Sequence, residues 1–216
     1  MLLAYTTRHE DSMFYISMTR FARFCASTSS TRAVAAREGL TGNDGQDTYL
    51  PLKQAVREVV GKGDRTAFDR LAKRVEGWRL AEYLPAVIPP LRSFLERADS
   101  IGLGVITYIP LAPGVGVRVN PELRVTIGRK FYHVKLWFRM DPPDDALVEA
   151  ITSLIFAANG IPNAIPAILD VRRKRLLTGT AKREDHRRVV FSDGAAFATL
   201  IDSKRSSPNP SHHPPS

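Results

Sequence analysis

Several features that would point to particular protein classes are scarce or missing in this sequence. Cys25 is the single cysteine among 216 residues, so no disulfide can form within the chain and nothing demands an oxidising compartment. The sequence contains no Walker-type phosphate loop, and no histidine in its central part has a metal-ligand spacing with another ligand. Residues 1–17 lack the long apolar segment of a signal peptide.

Long apolar runs free of helix breakers are also missing. The two uncharged stretches, residues 100–117 and 150–169, both contain glycine and proline at positions that interrupt a helix. They are therefore typical of core segments rather than of membrane spans. Hydrophobic residues make up 44% of the chain and charged residues 25%, which is ordinary for a globular protein. We expect a soluble cytoplasmic protein that makes no contact with a membrane.

Acidic residues are in deficit. The chain has 31 Lys and Arg against 22 Asp and Glu, and its formal net charge is +9. Such a surface attracts polyanions, of which DNA and RNA are the most general. An arginine-rich composition supplied by a GC-rich genome would produce the same excess without any function. Both interpretations stay open at the level of the sequence.

Composition along the chain divides it into three parts. Residues 1–47 carry serine-rich and glycine-rich linker signals, and we expect a flexible N-terminal segment there. Met18 is hypothesised to be the true start of translation. Residues 48–205 carry the periodic patterns of a single α+β domain. Residues 206–216 are rich in Ser, Pro and His and predict a disordered tail.

Periodicity within the domain changes from helical to alternating and back. Helical spacing predicts N-terminal helices, and strict alternation then predicts a three-stranded antiparallel meander. A crossover helix starting at Asp144 is long enough to place the next strand parallel to its predecessor in one central sheet. The predicted helices are 51–60, one after Asp64, 91–98 with Pro90 at its first position, 144–158 and 194–204; the strands are 115–119, 123–127, 132–138, 168–171 and 189–191.

The meander contains a tight hairpin. A two-residue loop at Gly128 and Arg129 puts Glu122 opposite Lys135 and Arg124 opposite His133. Because side chains alternate between the faces of a strand, these four residues share one polar face. They form either a cross-strand ion pair or a functional site with a carboxylate, a lysine and an imidazole.

The order of helix, three-strand meander, crossover helix and further strand resembles the core of the PD-(D/E)xK nucleases. That resemblance implies an acid on the second core strand, matched by Glu122, and a lysine on the third, matched by Lys135. Glu96 on the preceding helix is a candidate third residue and, with Glu122, a candidate Mg²⁺ ligand. The position two before the lysine is His133, where the family has Glu, Asp or Gln. The resemblance therefore implies an inactive relative, which keeps the shape and loses the metal.

A basic segment follows the last core strand. Between residues 170 and 190 eight Lys and Arg stand against three acids, as in the footprint of a protein that binds phosphate backbones. A solvated charged face is the alternative interpretation. The predicted nucleic-acid-binding residues are Arg124, His133, Arg172, Arg173, Lys174, Arg175, Arg187 and Arg188.

Three functions are compatible with these features. The first is a nucleic-acid-associated protein with a catalytically degenerate nuclease-like core, which binds DNA or RNA through phosphate contacts and needs no cofactor. The second is a non-catalytic module that binds a protein partner, with Phe131 and Trp137 as anchors. The third is a metal-dependent nuclease in which Glu122 and Lys135 are catalytic and Mg²⁺ is required. Whether the protein is an enzyme stays open.

Overall fold

The computed structural model describes residues 13–40, 48–159, 163–180 and 183–205, and within them it confirms the α+β class. The helices are α1 Met18–Ala26, α2 Ser29–Leu40, α3 Leu50–Lys62, α4 Ala67–Arg74, α5 Leu84–Glu96, α6 Asp145–Asn159 and α7 Arg183–Arg205. The strands are β1 Phe14–Ser17, β2 Ser100–Leu103, β3 Thr107–Ala112, β4 Val115–Val119, β5 Leu123–Ile127, β6 Lys130–Trp137, β7 Ala164–Asp170 and β8 Arg175–Thr178. The predicted tail at 206–216 lies outside the described residues.

The larger sheet has β6 at its centre, in the order β2-β5-β6-β7-β8. Strand β7 is parallel to β6, as predicted from the crossover, and the other neighbours are antiparallel. Helix α6 makes the crossover, and the Asp144 carboxylate accepts the Leu147 N–H at 2.8 Å. Asp144, the predicted first residue of this helix, is therefore its N-cap, because its carboxylate satisfies one of the free backbone N–H groups of the first turn.

The hairpin between β5 and β6 has the predicted register. Arg124 faces His133 and Leu123 faces Val134. Gly128 has φ of 61° at the turn, in the left-handed region that a primed hairpin turn requires and that glycine adopts without strain. Local turn chemistry thus determines which side chains meet across these two strands.

The prediction of one central sheet is wrong. Residues 115–119 form β4 of a second, three-stranded sheet, in the order β1-β4-β3. The first strand of the meander is instead β2, which pairs with β5. Alternation shows that β4 buries one side but does not specify its partner strand. Strands β3 and β4 form their own hairpin, inserted between β2 and β5.

The prediction of a flexible segment over residues 1–47 is wrong for the part that the structure describes. Strand β1 pairs in parallel with β4, and Ile16, Phe21 and Phe24 are buried in the core. Helix α1 packs against α6 and α7, which lie far away in sequence. The apolar side chains of this short segment are buried by helices that are distant in sequence, so a local pattern could not predict their burial.

Other elements also differ from the predictions. Helix α5 begins at Leu84 and not at Pro90, because Pro85 is the proline that occupies its first turn. Pro89 and Pro90 lie inside the helix. Residues 189–191 are helical within α7 rather than a strand, and α7 continues through the helix predicted at 194–204. Strand β8 went unpredicted because its four residues are too few for a periodic signal.

Two cores lie on opposite faces of the larger sheet. Helices α3, α4 and α5 cover one face, where Leu123, Val134 and Leu136 are buried. Helices α1, α6 and α7 and the smaller sheet enclose the other core, which includes Trp137 and Ile168. The polar face of β6 is therefore in the interior, and this decides the environment of every candidate site residue on it.

Candidate functional site

Glu122 and Lys135 form a buried ion pair between neighbouring strands. The Lys135 ammonium donates to Oε1 of Glu122 at 2.7 Å, and the two side chains are only 5% and 6% exposed. The facing positions predicted from the hairpin are therefore in contact. The pair is buried in the interior and is not exposed on a sheet surface.

Both oxygens of the Glu122 carboxylate have partners in the protein. Its Oε2 accepts the Leu136 N–H at 2.9 Å. Because Glu122 directly precedes the first residue of β5, this bond extends the hydrogen bonding between β5 and β6. Oε1 of Glu122 lies 3.6 Å from the ammonium of Lys53, which belongs to α3. Lys53 could not be predicted from the sequence as a partner of Glu122, because it lies on a helix far upstream and no local pattern connects the two residues.

This donor set does not fit a divalent cation. Mg²⁺ prefers several oxygen ligands, whereas one carboxylate beside two ammonium groups is already more than neutralised. The described residues contain no group of three or more His, Cys, Asp or Glu that could hold a metal ion.

Glu96 does not complete such a site. It ends α5, three residues before Asp99, whose carboxylate accepts the Gly128 N–H at the hairpin turn. Glu122 precedes the first residue of β5, at the other end of that strand. The predicted pairing of Glu96 with Glu122 as metal ligands is therefore wrong, because helix α5 meets the sheet at the opposite end.

His133 is buried beside Arg124 and is not available to a phosphate. It is 1% exposed, and neither ring nitrogen has a hydrogen-bond partner within the described ranges. Burial lowers the pKa of His133 from 6.5, and the nearby Arg124 charge lowers it further. Arg124 donates through Nε to the Leu103 carbonyl at 2.9 Å. The predicted phosphate-binding role of His133 is wrong because α6 and its neighbours cover this face.

The predicted protein-binding anchors are also mostly covered. Trp137 is 5% exposed and belongs to the core, and its indole N–H donates to the Asp141 carbonyl at 2.8 Å. Phe131 is half-buried and its ring packs edge-on against His133. A partner has no access to Trp137, so this pair does not form a docking surface.

The basic segment ties together the two loops that follow β6 and β7. Arg172 donates through Nε to the Phe138 carbonyl at 2.9 Å, and its guanidinium lies 5.3 Å from the centre of the Tyr83 ring. Arg173 donates to Oδ2 of Asp170 at 3.1 Å and to the Met140 carbonyl at 2.7 Å. These two arginines are structural as well as cationic, because each joins one loop to the other.

Besides Arg173, three cations are exposed around these loops. Arg139 follows β6, Lys174 occupies the β7–β8 turn with φ of 55°, and Arg175 begins β8. We call them the edge cations. The backbone of Arg187 and Arg188 belongs to α7, but their side chains lie outside the described part of the chain. The carboxyl ends of the parallel strands β6 and β7 meet at this edge, where α/β sheets commonly bind ligands.

A groove of about 470 Å³ adjoins Arg139, between α1, α2 and the segment after β6. Its rim carries charges of both signs. They are Arg23, Glu38, Arg139, Asp141 and Asp144. The mixed charge gives the groove no clear preference for an anion or a cation.

No family model and no curated protein matches this chain. Among the described helices, none has the length and apolar character needed to cross a bilayer. Function is therefore inferred from the side chains and their surroundings.

Proposed function

We propose that this protein binds nucleic acid through phosphate contacts made by the edge cations. The observation that carries the proposal is the tie between the two loops. Arg172 and Arg173 fix the loops to each other through the carbonyls of Phe138 and Met140. The exposed cations Arg139, Lys174 and Arg175 are thereby held on a rigid support, which reduces the entropy lost on binding.

Electrostatics favour a polyanion over a single small anion. The formal net charge is +9, and phosphate contacts from Lys and Arg release counterions from the nucleic acid. Asp170, at the end of β7, is 1% exposed and is paired with Arg173. Phosphate contacts carry no base information, so the binding has little sequence preference.

The order of elements around the large sheet supports a nuclease-like core without nuclease chemistry. Helix α5, strands β2, β5 and β6, the crossover α6 and the parallel strand β7 follow the order on which the resemblance rests. Glu122 and Lys135 stand where that resemblance puts its acid and its lysine. Lys53 adds a second positive charge where a catalytic site would need a second carboxylate. In this proposal the pair stabilises the fold.

Binding of labelled DNA at several salt concentrations tests the proposal. We expect the protein to bind both duplex and single-stranded DNA, and the logarithm of the binding constant to fall linearly with the logarithm of the salt concentration. The variant K174E/R175E should lose about tenfold or more in affinity and reduce the salt slope by roughly two phosphate contacts.

The matched control is R129E/K130E, which makes the same charge change at exposed residues of the hairpin turn. This turn lies about 23 Å from the end of β6, at roughly 3.3 Å per residue of strand. Equal losses in both variants would mean that only net charge matters, and would contradict binding at the edge. Failure of the full chain to bind DNA or RNA at low salt would overturn the proposal.

The nuclease alternative makes a different prediction. It requires Mg²⁺-dependent cleavage of DNA or RNA that disappears in E122Q and in K135A. Because Glu122 is neutralised by two lysines, we expect no cleavage beyond that of a mock preparation. Reproducible cleavage that is lost in both variants while they remain folded would replace the binding proposal with a catalytic one.

A further inference from the structure

The outer face of the smaller sheet carries an exposed aromatic pair. Tyr15 on β1 is 41% exposed and Tyr108 on β3 is 52% exposed. Their ring centres are 4.8 Å apart with an interplanar angle of 64°. Buried aromatic side chains are the norm in a core, so two exposed rings in contact on one sheet face call for a functional explanation.

Gly116 of β4, between the two outer strands, makes room for this pair. It is paired with Tyr15, and a Cβ atom at Gly116 would lie 2.6 Å from the Tyr15 ring. Any other residue there would push the ring away from the sheet. The absent side chain thus lets Tyr15 lie over the middle strand and reach Tyr108.

Arg118 gives the face its charge. It is exposed, lies two residues after Gly116, and is paired with Ser17 on one side and Tyr108 on the other. It is the one charged residue in the sequences of β1, β3 and β4. Within the described residues its guanidinium has no hydrogen-bond or ion-pair partner. The face therefore complements an anion that also has flat apolar surfaces.

We propose that this face binds single-stranded nucleic acid, with bases stacked on Tyr15 and Tyr108 and a phosphate held by Arg118. The inference rests on the proposed function and narrows its substrate class. Stacking platforms with a neighbouring cation bind single strands with little base preference, because every base offers a π face. Paired bases in a duplex are stacked on each other and cannot use the platform. A duplex therefore contacts the edge cations alone.

The variant Y15L/Y108L tests the stacking. Leucine keeps apolar bulk on the sheet but removes the aromatic faces. We expect affinity for oligothymidine to fall by about tenfold or more, while affinity for a duplex of equal length stays within about twofold. The matched control Y15F/Y108F keeps both rings and should bind oligothymidine like the unchanged protein. R118Q should weaken oligothymidine binding and reduce its salt slope by about one contact.

Thermal unfolding of each variant checks that the sheet remains folded. If Y15L/Y108L unfolds early, the comparison moves to Tyr108→Leu alone, because the side chain nearest to Gly116 is that of Tyr15. Unchanged oligothymidine affinity in a folded leucine variant, together with a loss in K174E/R175E, would overturn this inference and leave the proposed function standing. Loss of all binding by the full chain would instead remove the proposed function.

Self-association is the competing use of an exposed apolar face. Sedimentation of the full chain and of Y15L/Y108L separates the two uses. A dimer that the leucine variant abolishes, with oligothymidine binding unaffected, would assign the face to a second copy of the chain and overturn the inference. A monomer at all concentrations, combined with the selective loss of single-strand affinity, supports it.

Discussion

Lys135 and Glu122 hold each other inside the protein, 2.7 Å apart across the β5–β6 hairpin, with Lys53 reaching the same carboxylate from α3 at 3.6 Å. The carboxylate also accepts the Leu136 N–H. One group thus joins two strands and a helix from different layers. Such a cluster stabilises one arrangement of the layers and gives both oxygens of its acid a partner within the protein.

Removing the Glu122 charge should destabilise the protein strongly. Glu122→Gln keeps an acceptor for Leu136 but removes the negative charge that the ammonium groups of Lys135 and Lys53 face, and we expect a loss of about 3 kcal/mol in the free energy of unfolding. Urea denaturation measures it. The control is Glu58→Gln, which breaks the exposed pair with Arg70 and should cost less than about 1 kcal/mol. Equal losses in the two variants would contradict a structural role for the buried cluster.

Stability should fall in mild acid because of His133. The pKa of this buried imidazole is lowered from 6.5 by burial and by Arg124, so the unfolded chain binds the proton more tightly than the folded chain. The contribution of His133 is complete above the unfolded pKa and decreases as pH falls below it. Urea midpoints measured between about pH 8 and about pH 5 should show this decrease.

The control for this titration is His133→Phe, which keeps a ring of similar size and cannot take up a proton. We expect a smaller loss of stability over the same pH range. If the unchanged protein and the phenylalanine variant lose stability in parallel, other groups cause the acid sensitivity and the account of His133 is wrong.

Gly104 should tolerate no side chain. A Cβ atom there would lie 1.9 Å from the Pro121 carbonyl oxygen, which is backbone next to Glu122 and cannot easily move. We expect Gly104→Ala to cost about 3 kcal/mol, measured by urea denaturation. Gly102→Ala is the control, because its nearest neighbour is the Arg124 side chain at 3.6 Å, and it should change stability by less than about 1 kcal/mol. A similar effect at both positions would show that the backbone near Gly104 adapts.

Cys25 should be unreactive in the folded protein. Burial raises the pKa of its thiol, and the Asp193 carboxylate raises it further. Because the thiolate is the nucleophile, alkylation at neutral pH should be much slower in the native chain than in urea. Mass spectrometry of the labelled chain measures both rates. Equal rates would mean that the thiol is accessible and ionises normally.

Features that depend on neighbouring residues could be predicted from the sequence. The two-residue turn at Gly128 determines that Lys135 faces Glu122, and the structure has that register. Asp144 caps α6 because a short acceptor there meets the free N–H groups of the first turn. The crossover made by α6 is long enough for the parallel pairing of β6 with β7. Each of these depends on residues close together in the chain.

Features that depend on distant residues came only from the tertiary structure. Alternation in β4 could not show that it pairs with β1 and β3, and nothing near Glu122 in sequence pointed to Lys53. The polar face with His133 became a buried one because α1, α6, α7 and the smaller sheet cover it. Tyr15 and Tyr108 are separated by most of the first half of the chain, yet their rings touch. The sequence by itself determined which residues alternate, turn and cap; the packing of layers decided which of them are exposed, because burial depends on contacts between segments that no local pattern specifies.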